Sequence, residues 1–129
     1  MESNKFSVTV TLYRHVGQCE LELIIASDYR CFPPRLSEQP IFYPVVQREY
    51  AEKIARDWNT RDERSGYVGY VLEFEVEASY LSKHEPRLAG GRDHQEYWIP
   101  AEGLDEFNRH IVPPIRVVST YGRPDTGNP

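Results

Sequence analysis

Tyr67-Val68-Gly69-Tyr70-Val71-Leu72-Glu73-Phe74-Glu75-Val76 is the segment on which the architecture turns. From Leu72 onward apolar and acidic residues alternate singly. Successive side chains of an extended chain point to opposite faces, so the spacing predicts a strand with one wet face. Before it, Glu49 to Trp58 (E-Y-A-E-K-I-A-R-D-W) sets Tyr50, Ile54 and Trp58 four residues apart beside Ala51 and Ala55. That period predicts an amphipathic helix with Tyr50 and Trp58 in the core. The charged, glycine-ended run from Asn59 to Gly66 between the two is expected to be an exposed loop.

Toward the N-terminus, Ser7 to Arg14 (S-V-T-V-T-L-Y-R) alternates β-branched and aromatic residues and reads as a strand ending near Arg14. Gly17-Gln18 breaks it. A short helix through Glu20 to Ala26 follows, with Leu21, Ile24 and Ile25 on one face. Phe32-Pro33-Pro34-Arg35 is a loop, because each proline drives its predecessor into extended geometry and donates no amide hydrogen. Ile41 to Val46 is strand-like, with Pro44 confining it to an edge, an end or a bulge.

Toward the C-terminus, Ser79 to Arg87 has no single reading, and Leu88 to His94, with Gly90-Gly91, is a turn or mobile loop. Glu96-Tyr97-Trp98-Ile99-Pro100 reads as a short strand stopped by proline. Ala101 to His110 reads as a helix ended by Pro113-Pro114, and Ile115 to Tyr121 as the last strand. The order is β-α-β-α-β-β-α-β. No glycine-rich phosphate loop follows any strand, so neither a Rossmann nor a P-loop motif is present, and an α+β sheet is expected. The expected organisation is one domain over residues 1–121, with about three short helices, and a flexible tail over 122–129.

Composition narrows the function classes. The chain has 129 residues, a formal charge of −5, 40% hydrophobic and 12% aromatic residues, which describes one folded domain with a real core. Its longest apolar runs, such as Leu23-Ile24-Ile25-Ala26, are far short of a membrane span. The start, Met1-Glu2-Ser3-Asn4-Lys5, has no export pattern, so the expected location is cytoplasmic. Net acidity argues against a broad duplex nucleic-acid footprint. Cys19 and Cys31 are too few for a disulfide framework or a zinc site, and His15, His84, His94 and His110 lack metal-binding spacing, so no metal is expected. No nucleophile elbow is present.

Three residues stand out as candidates. Glu96 opens a short apolar strand just after a Gly-Gly loop, where a mobile segment meets a rigid one. Arg14 ends the first strand behind Leu12-Tyr13 and offers a bidentate fork to phosphate or carboxylate. Tyr43, on a proline-bounded strand, offers a ring or a hydroxyl. Each has an ordinary alternative, as a surface carboxylate, a strand-end arginine and a core or rim tyrosine.

The order Leu12-Tyr13-Arg14, Leu21 to Ala26, Ile41-Phe42-Tyr43, Tyr50 to Trp58, Val71 to Val76 and Glu96-Tyr97-Trp98-Ile99-Pro100 resembles the ADP-ribosyltransferase superfamily. There, a first strand ends in Arg or His and a late Glu-apolar-apolar-apolar-Pro strand carries the catalytic glutamate. The chain also resembles short bacterial proteins labelled "ADP-ribosylation/crystallin J1", through Phe32 to Val45 and Tyr97 to Asn108. The resemblance implies a split β-sheet core, NAD as substrate, and transfer of ADP-ribose to a protein or nucleic-acid acceptor. It implies Glu96 as the catalytic carboxylate, with Tyr13, Arg14, Tyr43 and Arg35 binding NAD. Arginine-modifying members have an acidic residue two positions before the catalytic glutamate; His94 stands there and would face the acceptor. The second strand reads Phe42-Tyr43-Pro44 where the family has Ser-Thr-Ser. An antitoxin-like partner is compatible with this reading. The alternative function is a noncatalytic module of the same fold that binds a nucleotide, a nucleic acid or a protein.

Overall fold

The structure, a computed structural model, describes residues 8–88 and 94–122. In chain order these form β1 (Thr9–Val16), α1 (Gln18–Ala26), β2 (Ile41–Phe42), α2 (Arg48–Asp57), β3 (Val68–Glu77) and α3 (Ala78–Leu81). There follow β4 (Arg87–Leu88), β5 (Gln95–Glu96), β6 (Ile99–Pro100), α4 (Leu104–Arg109) and β7 (Ile111–Gly122). Short 3-10 turns cover Asn59–Arg61, Glu63–Ser65 and Ala101–Gly103. The main sheet has the order β1-β3-β7; the β2-β6 pair stands apart from it, and among the described residues the β4-β5 pair is joined to it only by single bridges through Val45. Every pairing is antiparallel.

The alternating segment from Leu72 to Val76 thus lies in the central strand, β3. On one face of β3, Leu72, Phe74 and Val76 meet Leu12 and Val10 of β1 and are fully buried. Phe32, Phe42, Phe74 and Phe107 close this core with ring centroids 4.8, 4.9 and 5.5 Å apart for the pairs 32–42, 32–74 and 42–107. On the other face, Glu75 accepts hydrogen bonds from Thr9 Oγ1 (2.9 Å) and Thr11 Oγ1 (2.7 Å), and Glu73 accepts from Tyr13 Oη (3.1 Å). Ala51 and Ala55 of α2 cover Val71 at the other end of that face. The helix comes very close there: a Cβ on Gly69 would lie 2.5 Å from the Ala55 carbonyl oxygen.

Tertiary packing revises several sequence expectations. β1 continues past Arg14 to Val16. Ile25 and Trp58 are 45% and 55% exposed, because the core takes only Leu21 and Ile24 of α1 and the two small alanines of α2. Asn59 to Gly66 is not a loose loop; its two 3-10 turns bury Asn59 and Ser65. Glu96 to Pro100 is not one strand, since β5 pairs with β4 and β6 with β2. Helices number four among the described residues, the extra one being α3 within the segment that had no single reading. Pro113-Pro114 does not end the last helix. The prolines lie inside edge strand β7, where the register slips from Glu73↔Arg116 to Glu75↔Val112, a position that needs no ladder donor.

Within the described residues, no helix is long and apolar enough to cross a membrane, and no cluster of His, Cys, Asp and Glu suits a metal. Cys19 and Cys31 are free and exposed. The Gly90-Gly91 segment, expected as a turn or mobile loop, and the expected flexible tail beyond Gly122, which itself closes β7, lie outside the described residues.

Candidate functional site

Arg14 sits on the core-facing side of β1 between Leu12 and Val16 and is only 7% exposed. Its guanidinium carbon lies 5.0 Å from the Phe42 ring centroid; that of Arg35, delivered by the rigid Pro33-Pro34 segment, lies 5.5 Å from the same centroid. Glu20, in the first turn of α1, stands between them, with Oε1 3.9 Å from Arg14 Nη2 and Oε2 3.6 Å from Arg35 Nη1. These are long contacts. Arg14 Nε, Arg35 Nε and Glu20 Oε2 are buried with no hydrogen-bond partner. Burial first and the Arg14 charge second lower the Arg35 pKa, while Glu20 opposes them. Buried polar atoms are normally satisfied, and guanidinium groups are donors suited to charge-assisted hydrogen bonds with an anion.

These three residues line a cavity of about 660 Å³. A smaller one, about 250 Å³, shares Arg14 and His15 with it and is bounded by Tyr43, Val45, Ile54, Glu96 and Trp98. Backbone pairing brings Glu96 there. Tyr13 and Val45 exchange both amide hydrogen bonds (2.9 and 2.8 Å), and Val45 in turn bridges Glu96. Val46 N donates to Gln95 O and Tyr97 N to Pro44 O, both at 2.9 Å. The 44–47 segment therefore mediates between β1 and the Glu96 segment, which are 82 positions apart for Arg14 and Glu96. Trp98 Nε1 donates to Glu96 Oε2 at 2.8 Å, Tyr43 meets the Trp98 ring edge-on at 5.9 Å, and the Arg87 guanidinium lies 4.3 Å from the Trp98 ring centroid.

Arg14, Tyr43 and Glu96 thus meet around one cavity, and Arg35 joins the adjoining one. Tyr13 does not line either. As Arg14's neighbour on an extended strand it points to the opposite face, where its hydroxyl reaches Glu73. Burial, reinforced by the hydrogen bond to Glu73, raises its phenol pKa. His94 stacks on Tyr50 (centroids 4.3 Å apart, planes at 11°) and is not among the residues lining the Glu96 cavity.

His15 is a site residue that its spacing did not disclose. β1 is the outer strand of the three-stranded sheet, bridged among the described residues only at Tyr13, by Val45, and Arg14 and His15, from its opposite faces, both line the cavities there. Ser65 Oγ donates to Asp62 (2.7 Å), so Asn59 Nδ2 can donate to Ser65 Oγ (2.9 Å), which leaves Asn59 Oδ1 as acceptor for His15 Nδ1 at 3.0 Å. This relay assigns the Nδ1–H tautomer. Burial, then the Arg14 charge, lower the His15 pKa to about 3, so the ring is neutral at physiological pH. Gly17 makes the relay possible, because a Cβ there would fall 2.5 Å from Ser65 Cα. The one sequence signal for the relay was polar Asn59 and Ser65 flanking a charged run, which is indistinguishable from a surface loop.

Comparison with known proteins finds no matching family model, no matching curated protein and no matching solved structure.

Proposed function

We propose that the protein binds NAD and transfers ADP-ribose from it to a macromolecular acceptor, on an ADP-ribosyltransferase-like split core made of the three-stranded sheet and the β2-β6 pair. The observation that carries this reading is that Glu96, Arg14 and Tyr43 line one cavity, with a buried arginine pair next door. The charges suit the substrate. NAD has two singly charged phosphates, which match the guanidinium groups of Arg14 and Arg35 on the cavity wall, and a cationic nicotinamide, which matches Glu96 beside Tyr43 and Trp98.

In the reaction the bond between ribose C1′ and the nicotinamide nitrogen breaks, and nicotinamide leaves with the bonding pair as a neutral base. C1′ develops oxocarbenium character, which a nearby carboxylate stabilises. An acceptor nucleophile then bonds to C1′ and loses its proton. Glu96 supplies the negative charge, Trp98 holds its orientation, and Tyr43 offers a ring against the nicotinamide. The cytoplasm, where NAD is abundant, is the expected location.

The test is calorimetric binding of NAD, with release of nicotinamide, by the wild type and by Glu96→Gln. Release that collapses in Glu96→Gln while binding persists is the expected result. Binding without release, in the presence of candidate acceptors, would favour the noncatalytic nucleotide-binding alternative.

A further inference from the structure

The arginine pair has a resident anion, and its placement is unusual. Glu20 neutralises one of two buried guanidinium charges, yet it makes no hydrogen bond to either arginine, and its Oε2 is buried and unpartnered. A carboxylate optimised for structure closes to hydrogen-bond distance on a guanidinium. Glu20 instead stays 3.6 and 3.9 Å away, close enough to set the local charge and too far to saturate the donors. The other charged groups on the cavity wall cancel or are engaged: Arg64 pairs with Glu38 at 3.4 Å, and Asp62 accepts from Ser65. The wall therefore carries three arginines, Arg14, Arg35 and Arg64, against three carboxylates, Glu20, Glu38 and Asp62. His15 adds no charge.

We propose that Glu20 is a specificity-determining residue that limits how much negative charge the arginine pair accepts. It admits the singly charged phosphodiester groups of a dinucleotide or of ADP-ribose and disfavours nucleotides that end in a phosphate monoester. The inference rests on the NAD reading for its substrate class but not for its physics. Donors left bare by Glu20 bind one charge per phosphate. A terminal phosphate, close to doubly charged at neutral pH, adds repulsion against Glu20 in a half-buried setting where a unit charge is weakly screened.

ADP-ribose and ADP separate the effect cleanly, since they share the pyrophosphate and differ in whether its end is capped. Calorimetry on the wild type is expected to show ADP-ribose bound roughly tenfold or more tighter than ADP. In Glu20→Gln the preference should shrink to about threefold or less, with most of the gain on ADP. Glu20→Asp, which keeps the charge, should retain the wild-type preference. If Glu20→Gln does not fold, salt is the second measurement: raising ionic strength should narrow the wild-type preference, because screening weakens the repulsion. A wild type that binds ADP as tightly as ADP-ribose, a folded Glu20→Gln that keeps the wild-type preference, or, where that variant does not fold, a preference indifferent to salt, overturns the inference. Nicotinamide release with an unchanged preference would sink this inference alone. A Glu20-dependent preference without NAD binding would sink the NAD reading alone. Failure of both forms to bind either compound would sink both.

Discussion

The indole of Trp98 donates a 2.8 Å hydrogen bond to Glu96 Oε2, which ties the candidate carboxylate to an exposed ring two residues further on, in the link between β5 and β6. A side chain pinned at one oxygen keeps one orientation, and orientation is most of what a stabilising carboxylate contributes. Trp98→Phe keeps the ring and removes the donor. Nicotinamide release should fall roughly tenfold or more, since hydrogen bonds to charged groups are worth about 1.5–3 kcal/mol. Trp98 is 41% exposed, so the denaturation midpoint should barely move. Equal rates in the two proteins would remove Trp98 from the proposed machinery.

Phe42 is fully buried, stacks among the core phenylalanines and lies under both guanidinium groups. Phe42→Ala should cost about 3–5 kcal/mol of stability through the cavity it leaves. Phe42→Leu refills much of that volume but has no π face, so it should weaken ADP-ribose binding by roughly threefold to tenfold while unfolding much later than the alanine variant. Urea titration and calorimetry on the two variants check both halves.

Acid should destabilise the protein earlier than its carboxylates require. His15 titrates near 3 in the folded state against about 6.5 when unfolded. Between those values the unfolded chain binds more protons, so stability is fully present above about pH 6.5 and declines as pH falls toward 3. Glu73 and Glu52, both lowered, the first chiefly by Arg116 and the second by Ser119 and Arg48, lose stability in the same direction but at carboxylate pH. His15→Gln should therefore flatten the slope of unfolding free energy between about pH 6.5 and 5 and leave the steeper acid limb in place. Urea titrations at stepped pH supply the comparison, and an unchanged upper slope would show that His15 charges freely in the fold.

Gly69→Ala should destabilise by about 1–3 kcal/mol, because the added methyl meets the Ala55 carbonyl oxygen at 2.5 Å and α2 must move off the sheet. Differential scanning calorimetry would read this as a lower midpoint. A neutral result would mean that α2 is held less closely than described.

Much of this molecule was legible in order and little of it in contact. Alternation from Leu72 to Val76 and the period through Ala51 and Ala55 marked a strand and an amphipathic helix, because period alone dictates which side chains share a face. Trp58 misled for the complementary reason: it keeps the helical period, but it stands at the C-cap, just past the last turn of α2, and its ring is more than half exposed. The proline pair misled because a missing donor is a defect in a helix and no defect in a bulged edge strand.

For the site, chemistry-bearing residue types were visible and their company was not. Arg14, Tyr43 and Glu96 are one strand end, one proline-bounded segment and one late segment in the sequence, and only the Tyr13–Val45–Glu96 backbone bridges bring them to one cavity. Alternation along β1 sent Tyr13 the other way. Side-chain order was enough for the periodic elements, the arginine and carboxylate supply and the absence of a phosphate-loop motif, since these are local properties. The tertiary structure alone decided that Glu20 stands between two buried arginines and that His15 is fixed by Asn59, because burial and charge depend on contacts made across the chain.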